Sequence, residues 1–178
     1  MKFARDILLL SIESTGQNPD KDFPLQIGAI LLDKDNLLEK SYFNSYIRFP
    51  FSQSTNFHIV QTLGITKEQW INAPNIRAAL AEFTALFPYN ITMATHNIIN
   101  VRFLERAFRL AEMPYEYDYH IIEIWTLGYL YLSKLNSKKI PTAETLGQYF
   151  KIQKEKDHDA FANCRFLAEI FKQLVKAY

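Results

Sequence analysis

The sequence predicts an α/β fold in which helices cover both faces of a mixed, twisted, five-stranded sheet. Two observations predict it. Three apolar, strand-like segments open the chain, and helical and strand-like segments then alternate as far as the last helix. The chain has 178 residues, of which 48% are hydrophobic, so it can form the core of one domain. We expect residues 1–178 to form that single domain.

The first part of the chain predicts three strands and a short helix. Apolar runs predict a buried strand over 6–12, a second strand over 26–33 after the turn-rich GQNPDKD, and a third over 40–49. We expect the second strand to run antiparallel to the first. The segment SQSTNFHIVQTLGIT then predicts a short helix that ends near Gly64.

The second part of the chain alternates helices with two strands. Helical spacing between two prolines predicts a helix that buries Ile76, Leu80, Phe83 and Phe87. A second helix buries Val101, Leu104, Phe108 and Ala111 and ends by Pro114. The remaining predicted segments are strands over 91–95 and 119–124 and helices over 125–134, 142–150 and 159–177.

Composition excludes several classes of protein. The longest apolar stretches are about four residues, far short of the ~20 that a membrane span requires, so we expect a soluble protein without membrane partners. Cys164 is the only cysteine, which excludes a disulfide scaffold, and the start of the chain has no apolar leader. We therefore expect a cytoplasmic location. The formal charge of +1 leaves the partner open.

The segment SKLNSKKIPT, residues 133–142, has three lysines and predicts an exposed loop. Two interpretations of this loop stay open. It is either a solvated connection between helices or a basic rim that contacts a phosphate backbone.

Three stretches occur in an order that matches one family. SIESTG at 11–16, ATHNIINVRFLERAF at 94–108 and HDAFANCRFLAEIF at 158–171 resemble the three motifs of the DnaQ-like 3′-5′ exonucleases. These are the DEDDh group of the ribonuclease H-like fold. Weaker similarities in LGITKEQWINAP and IIEIWTLG fill the gaps, so the resemblance covers essentially the whole chain.

The resemblance implies phosphodiester hydrolysis by two divalent cations, Mg²⁺ or Mn²⁺, which four acidic residues hold while a histidine takes a proton from water. The metal positions fall on Ser11, Glu13 and Asn163, and the Asp of the second motif either falls on Asn100 or is deleted with a shortened loop. Of these, only Glu13 keeps the acid of the motif, so the acidic motifs are degenerate. Glu13 and His158 are the catalytic positions that this chain retains.

This degeneracy changes the charge that would hold the ions. Replacing three of four carboxylates by neutral groups changes the formal charge from about −4 to about −1, against a total of about +4 on the two cations. A Ser hydroxyl or an Asn carbonyl offers a lone pair but no net charge. We therefore expect weak or absent metal binding and largely lost hydrolysis, with rescue open only to Asp157 and Asp159, which flank His158.

The resemblance also implies nucleic-acid contacts at five further positions, which are Ser14, Thr15, Gly16, His96 and Asn97. Alternatives stay open for several site residues. Glu13 is either a leftover metal ligand or a structural acid that accepts hydrogen bonds. Asn97 could instead cap the following helix through its side chain. Cys164 lies among apolar neighbours and is expected to pack in the core.

Three functions remain open. The first is a catalytically impaired exonuclease fold that still binds a single strand of DNA or RNA at its 3′ end. The second is an active exonuclease with an unorthodox site, or an inactivated variant of one. The third is a protein-interaction module with a vestigial cleft. The resemblance further suggests a replication or repair protein as a partner.

Overall fold

The structure, a computed structural model, describes residues 2–48, 64–155 and 158–178. The five strands of the sheet are β1 (Ile7–Ser14), β2 (Pro24–Leu32), β3 (Glu39–Tyr46), β4 (Thr92–Thr95) and β5 (Ile122–Glu123). The α-helices of the described residues are α1 (Lys67–Asn72), α2 (Ile76–Leu86), α3 (Ile99–Leu110), α4 (Ile124–Lys134), α5 (Ala143–Phe150) and α6 (Ala160–Ala177).

The sheet is mixed, as the sequence predicts. Its strand order is β3-β2-β1-β4-β5. β1 pairs antiparallel with β2, and β2 pairs antiparallel with β3. β4 runs parallel to β1 and β5 runs parallel to β4, which requires crossover connections that carry helices.

Helices cover both faces of this sheet, which confirms the predicted architecture. Side chains of β1 alternate between the faces, because successive residues of a strand point to opposite sides. Leu8 and Leu10 pack in one cluster with Phe83 of α2 and Phe108 of α3. On the other face the cluster comprises Ile7, Leu9, Phe171, Leu174 and further residues of α6 and its neighbours.

One predicted element needs correction, and one helix was not predicted. The strand predicted over 119–124 is limited to Ile122–Glu123. Its first part instead turns locally, since the Asp118 carboxylate accepts a hydrogen bond from the backbone N–H of His120 at 2.9 Å. Helix α1 was not predicted, although Thr66 and Gln69 form a capping box at its start.

Other predicted boundaries agree within a few residues. The third strand ends at Tyr46 rather than at 49, and the helix predicted within SQSTNFHIVQTLGIT falls mainly on residues 52–63, outside the described residues. Within the described part of the chain, no helix combines the length and the apolarity needed to cross a membrane.

The start of α6 rests directly on β2. The backbone N–H of Ala160 donates to the buried Gln26 Oε1 at 3.0 Å. At Gly28 a Cβ atom would lie 2.5 Å from the carbonyl carbon and oxygen of Ala160, so only glycine permits this approach. Because Gly28 pairs with Ser11 of β1, the third motif is fixed beside the first.

Candidate active site

A cleft of about 280 Å³ opens where β1 and β4 end against α3, α5 and α6. Five residues that the sequence analysis singled out line this cleft, namely Ser11, His96, Asn97, Asn100 and Asn163. They come from all three motifs, which are far apart along the chain.

Glu13 joins the first motif to the third. Its Oε1 accepts a hydrogen bond of 2.8 Å from Asn163 Nδ2, across 150 residues of sequence. Glu13 is half-buried, and burial raises the pKa of its carboxyl above the usual 4.5, whereas nearby positive charge at His158 and Lys154 acts to lower it. Where the family's third motif has a carboxylate, this chain therefore has the amide of Asn163. The N–H of that amide faces Glu13.

Asn100 joins the second motif to the sheet. Its Oδ1 accepts from the backbone N–H of Ile12 at 2.9 Å, and its Nδ2 donates to Thr95 Oγ1 at 2.9 Å. The buried Thr95 hydroxyl in turn donates to the Leu10 carbonyl at 3.0 Å. Both ends of the Asn100 amide thus brace α3 against β1 and β4.

His158 lies outside the lining of the cleft. Its side chain is exposed and its backbone is left-handed, with φ 52°. The next residue, Asp159, is the N-cap of α6, and its Oδ1 accepts from the backbone N–H groups of Phe161 and Ala162. The rescue considered for Asp159 thus competes with capping of the helix, and Asp157 lies outside the described residues.

The turn formed by Ser14, Thr15 and Gly16 also lies outside the cleft lining. Thr15 Oγ1 accepts from the backbone N–H of Phe23 at 3.0 Å, and the Ser14 hydroxyl donates to the Gly16 carbonyl. A Cβ on Gly16 would lie 2.5 Å from the Asp22 carboxylate. These three residues pack on the loop before β2, beside the cleft rather than in its wall.

His96 and Asn97 form the junction between β4 and α3. His96 Nε2 lies 3.2 Å from the Pro141 carbonyl oxygen, and the His96 carbonyl accepts from the backbone N–H of Trp125 at 3.0 Å. Asn97 Oδ1 accepts from the N–H of Ile99, the first residue of α3, at 3.0 Å. The N-cap of α3 is Ile98, so Asn97 lies one residue before the cap, and its side chain accepts from an N–H of the first turn.

Cys164 packs in the core, as predicted. It is fully buried, and its Sγ lies 2.9 Å from the Gly28 carbonyl oxygen. Burial raises the pKa of the Cys164 thiol, so the thiolate is disfavoured.

Sequence reasoning missed several residues of the site. Lys154 and Glu144 both line the cleft, and Thr95 anchors Asn100 from below it. Lys154 belongs to the charged segment KIQKEKD just before the third motif, a pattern that could have indicated a basic wall. Glu144 is an exposed residue in the first turn of α5.

The side chains of this cleft do not supply the ligands that a pair of divalent ions, as the resemblance implies, would need. Among the described residues, no three His, Cys, Asp or Glu side chains are grouped so that they could hold a metal ion. The Asn100 oxygen accepts from a backbone amide, and Asn163 presents its N–H to Glu13. Mg²⁺ and Mn²⁺ require several oxygen ligands with net negative charge, and this set does not supply them.

Several nucleases are among the solved structures that share this fold. Cell-death related nuclease 4 (CRN-4) is 16% identical, with a TM-score of 0.81 over 97% of this chain and 64% of that one. The nuclease domain of 3′hExo, a DEDDh family member bound to rAMP, is 16% identical, with a TM-score of 0.80 over 99% of this chain and 94% of that one.

E. coli exonuclease I, solved in complex with a dT13 oligonucleotide, is 20% identical, with a TM-score of 0.70 over 96% of this chain. The chain spans 40% of the length of exonuclease I and 64% of that of CRN-4. No curated protein matches the chain in sequence.

A family model, RNase_T, described as Exonuclease, matches residues 10–171 and therefore nearly the whole chain. This match covers most of β1, all of β2 to β5 and the three motifs around the cleft. The fold is the one that the sequence predicts for DnaQ-like 3′-5′ exonucleases. The chain belongs to this exonuclease family.

Proposed function

We propose that this chain binds the 3′ end of a single-stranded nucleic acid and does not hydrolyse it. The observation that carries the proposal is the hydrogen bond between Asn163 and Glu13, at the place where the family motif sets two carboxylates side by side. In this chain the amide of Asn163 donates to the carboxylate of Glu13 instead. The cleft keeps its shape by its own hydrogen bonds, so binding does not depend on metal.

Loss of hydrolysis follows from the charge of the motif positions. In two-metal hydrolysis the ions activate the water and stabilise the leaving oxygen. Glu13 is the one acid among Ser11, Glu13, Asn100 and Asn163, and burial already disfavours its charged form. Without the ions, neither the nucleophile nor the leaving group is stabilised.

Lys154 supplies positive charge at the cleft wall. It lines the same cleft as Ser11, Asn100 and Asn163. An ammonium group attracts a phosphate as a point charge and needs no cation to do so. We infer that Lys154 contacts a phosphate near the 3′ end of the bound strand. The cytoplasm, where the single cysteine stays reduced, is the setting in which we place this function.

The test compares binding and cleavage on the same strands. Fluorescent single-stranded DNA and RNA with a free 3′ hydroxyl are titrated at low salt, by anisotropy, in EDTA and then in Mg²⁺ or Mn²⁺. We expect micromolar binding that is equal with and without metal, that falls steeply with salt, and that weakens when the 3′ end is hidden in a circle. Gels of the same samples should show intact strands.

Two outcomes would contradict the proposal. Metal-dependent digestion that Glu13→Ala abolishes would make the chain an unorthodox exonuclease. Absence of binding to both DNA and RNA at micromolar concentration would favour a protein-interaction module.

Lys154→Gln tests the phosphate contact. Loss of one charge-assisted hydrogen bond should weaken binding about tenfold. Lys151→Gln is the matched control, because Lys151 is exposed at the end of α5 and does not line the cleft. Equal effects of the two variants would show that general charge, and not Lys154, attracts the strand.

A further inference from the structure

A second groove adjoins the cleft, between α4 and the loop that follows it. We name it the aromatic groove. Its volume is about 170 Å³, and its lining includes Trp125, Tyr129, Ser133, Lys138, Lys139 and Pro141.

The aromatic groove and the cleft share a wall. Pro141 lines the groove, and its carbonyl oxygen lies 3.2 Å from Nε2 of His96, which lines the cleft. Trp125 also lines the groove, and its backbone N–H donates to the His96 carbonyl at 3.0 Å. The groove therefore lies next to the cleft, at His96.

Two aromatic rings form one side of the groove. Trp125 and Tyr129 lie one turn apart on α4, with ring centroids 5.4 Å apart and planes inclined by 12°. Trp125 is 37% exposed and Tyr129 is 53% exposed, so solvent reaches both rings. Exposed stacked rings are the surface on which nucleic-acid bases stack, with little dependence on sequence.

Two lysines also line the groove. Lys138 and Lys139 are exposed, and within residues 2–48, 64–155 and 158–178 neither makes a salt bridge. The described residues that line the groove include no acid. Aromatic rings beside unopposed cations suit a polyanion with flat bases better than an apolar or acidic peptide.

We propose that the aromatic groove binds the nucleotides that lie on the 5′ side of the bound 3′ end. Bases stack on Trp125 and Tyr129, and phosphates contact Lys138 and Lys139. This inference rests on the proposed function, because it extends the path of the strand that the cleft holds. It also assigns the lysine-rich loop to the basic rim rather than to a solvated connection.

Strand length separates the two sites. A single strand of about three nucleotides fills only the cleft, whereas one of about ten nucleotides also reaches the groove. Both are titrated in EDTA against the full chain. The double variant Trp125→Ala, Tyr129→Ala should bind the longer strand about tenfold more weakly, or weaker still. Its affinity for the shorter strand should not change. The pair of changes Trp125→Phe and Tyr129→Phe keeps the rings and should keep the affinity.

Lys138→Gln with Lys139→Gln tests the charged side. The dependence of log affinity on log salt should become shallower by about 0.7 for each phosphate that a lysine no longer neutralises, for the longer strand only. Matched controls lie away from the groove. Tyr119→Ala removes a ring that is 80% exposed, and Lys2→Gln with Lys34→Gln removes charge near the opposite end of β1. In both controls, the difference in affinity between the longer and the shorter strand should be the same as in the unmodified chain.

A fluorescence readout checks the stacking directly. The chain has two tryptophans, so Trp70→Phe leaves Trp125 as the reporter. The longer strand should quench its emission and the shorter strand should not. If both lengths bind but the alanine variants keep the full affinity for the longer strand, the groove proposal is wrong and the proposed function stands. If neither length binds the unmodified chain, both proposals are wrong.

Discussion

At the scale of single residues, the two asparagines of the cleft make hydrogen bonds that aspartates could not make. Asn163 donates to Glu13 Oε1 at 2.8 Å, and Asn100 donates to Thr95 Oγ1 at 2.9 Å. The Thr95 hydroxyl already donates its hydrogen to the Leu10 carbonyl. An aspartate at either position would set oxygen against oxygen, so these amides stabilise the cleft as it stands.

Restoring the acids should therefore succeed only as a set. The triple change Ser11→Asp, Asn100→Asp and Asn163→Asp should recover measurable Mn²⁺- or Mg²⁺-dependent 3′-5′ trimming of a labelled strand. Ser11→Asp alone should recover little, because each carboxylate helps to recruit the same ions and the effects are non-additive. Added metal should raise the melting temperature of the triple variant but not that of the unmodified chain.

His158→Ala serves as the control in this restored background. If His158 has the general-base role that the resemblance implies, this change should remove most of the recovered activity, while the metal-dependent rise in melting temperature should remain because a base does not hold the ions. Full activity of the alanine variant would show that the exposed His158 does not act as the base.

The raised pKa of Glu13 predicts a pH-dependent effect on stability. A carboxyl whose pKa is higher in the folded than in the unfolded chain stabilises the fold at low pH, and this contribution is lost as pH rises through the folded pKa. Burial places Glu13 in this class, above its ordinary 4.5. Glu13→Gln should raise the melting temperature at about pH 8 and change it little at about pH 4.

Glu82→Gln, on the exposed side of α2, is the control for this measurement. It should shift the melting temperature by less than Glu13→Gln at about pH 8. A destabilising effect of Glu13→Gln at that pH would mean that the charged form of Glu13 is the one the cleft prefers.

At the scale of elements, the contact between α6 and β2 positions the third motif. Gly28→Ala would place a methyl group 2.5 Å from the Ala160 backbone, so α6 must shift away from the sheet. Overpacking of this kind costs about 1–3 kcal/mol of unfolding free energy. We expect a lower denaturation midpoint together with weaker binding of a short strand.

Leu80→Ala separates these two effects. Leu80 is fully buried in α2 on the opposite face of the sheet, and such a truncation costs about 2–5 kcal/mol. It should lower stability without changing strand affinity under conditions where the chain is folded. If Gly28→Ala leaves the affinity unchanged, strand binding does not depend on the position of α6.

Sequence patterns predicted most elements because the residues that pack in the core form recognisable apolar runs or helical spacings. The second strand was predicted over 26–33 and lies at Pro24–Leu32, since every residue of this inner strand is buried. The strand over 119–124 was overestimated because a short edge strand has few pairing partners to decide its length. It pairs with β4 at Ile122 and Glu123.

The site was predicted only where a motif has fixed spacing. Ser11, Asn100 and Asn163 came from such motifs and line one cleft. Lys154 was missed because its position depends on the turn after α5, where Lys151 adopts a left-handed φ of 58° and ends the helix. Thr95 was missed because its role follows from how β4 pairs with β1, which no local pattern records.

At the scale of the whole molecule, one sheet supports two cores. Phe83 lies in the cluster on one face and Leu174 in the cluster on the other, and β1 contributes side chains to both. If residues 1–178 form one domain, the two clusters should melt together. Phe83→Ala and Leu174→Ala should each lower the unfolding free energy by about 2–5 kcal/mol and shift the same transition.

Circular dichroism and tryptophan fluorescence would check this on one denaturant series. Coincident curves for both variants indicate one cooperative unit. A variant in which the two probes separate would divide the chain into two units, one for each face of the sheet.

The hydrogen bonds of Asn100 and Asn163 also limit the mutational routes by which this cleft could change. A single change from amide to acid loses a partly buried hydrogen bond at once, at a cost of about 1–3 kcal/mol. Recruitment of ions requires several carboxylates together, so the early steps bring a loss of stability and no catalytic gain. If the proposed function holds, selection acting one substitution at a time would therefore lose stability before it gained hydrolysis, whereas it could improve strand binding without that loss.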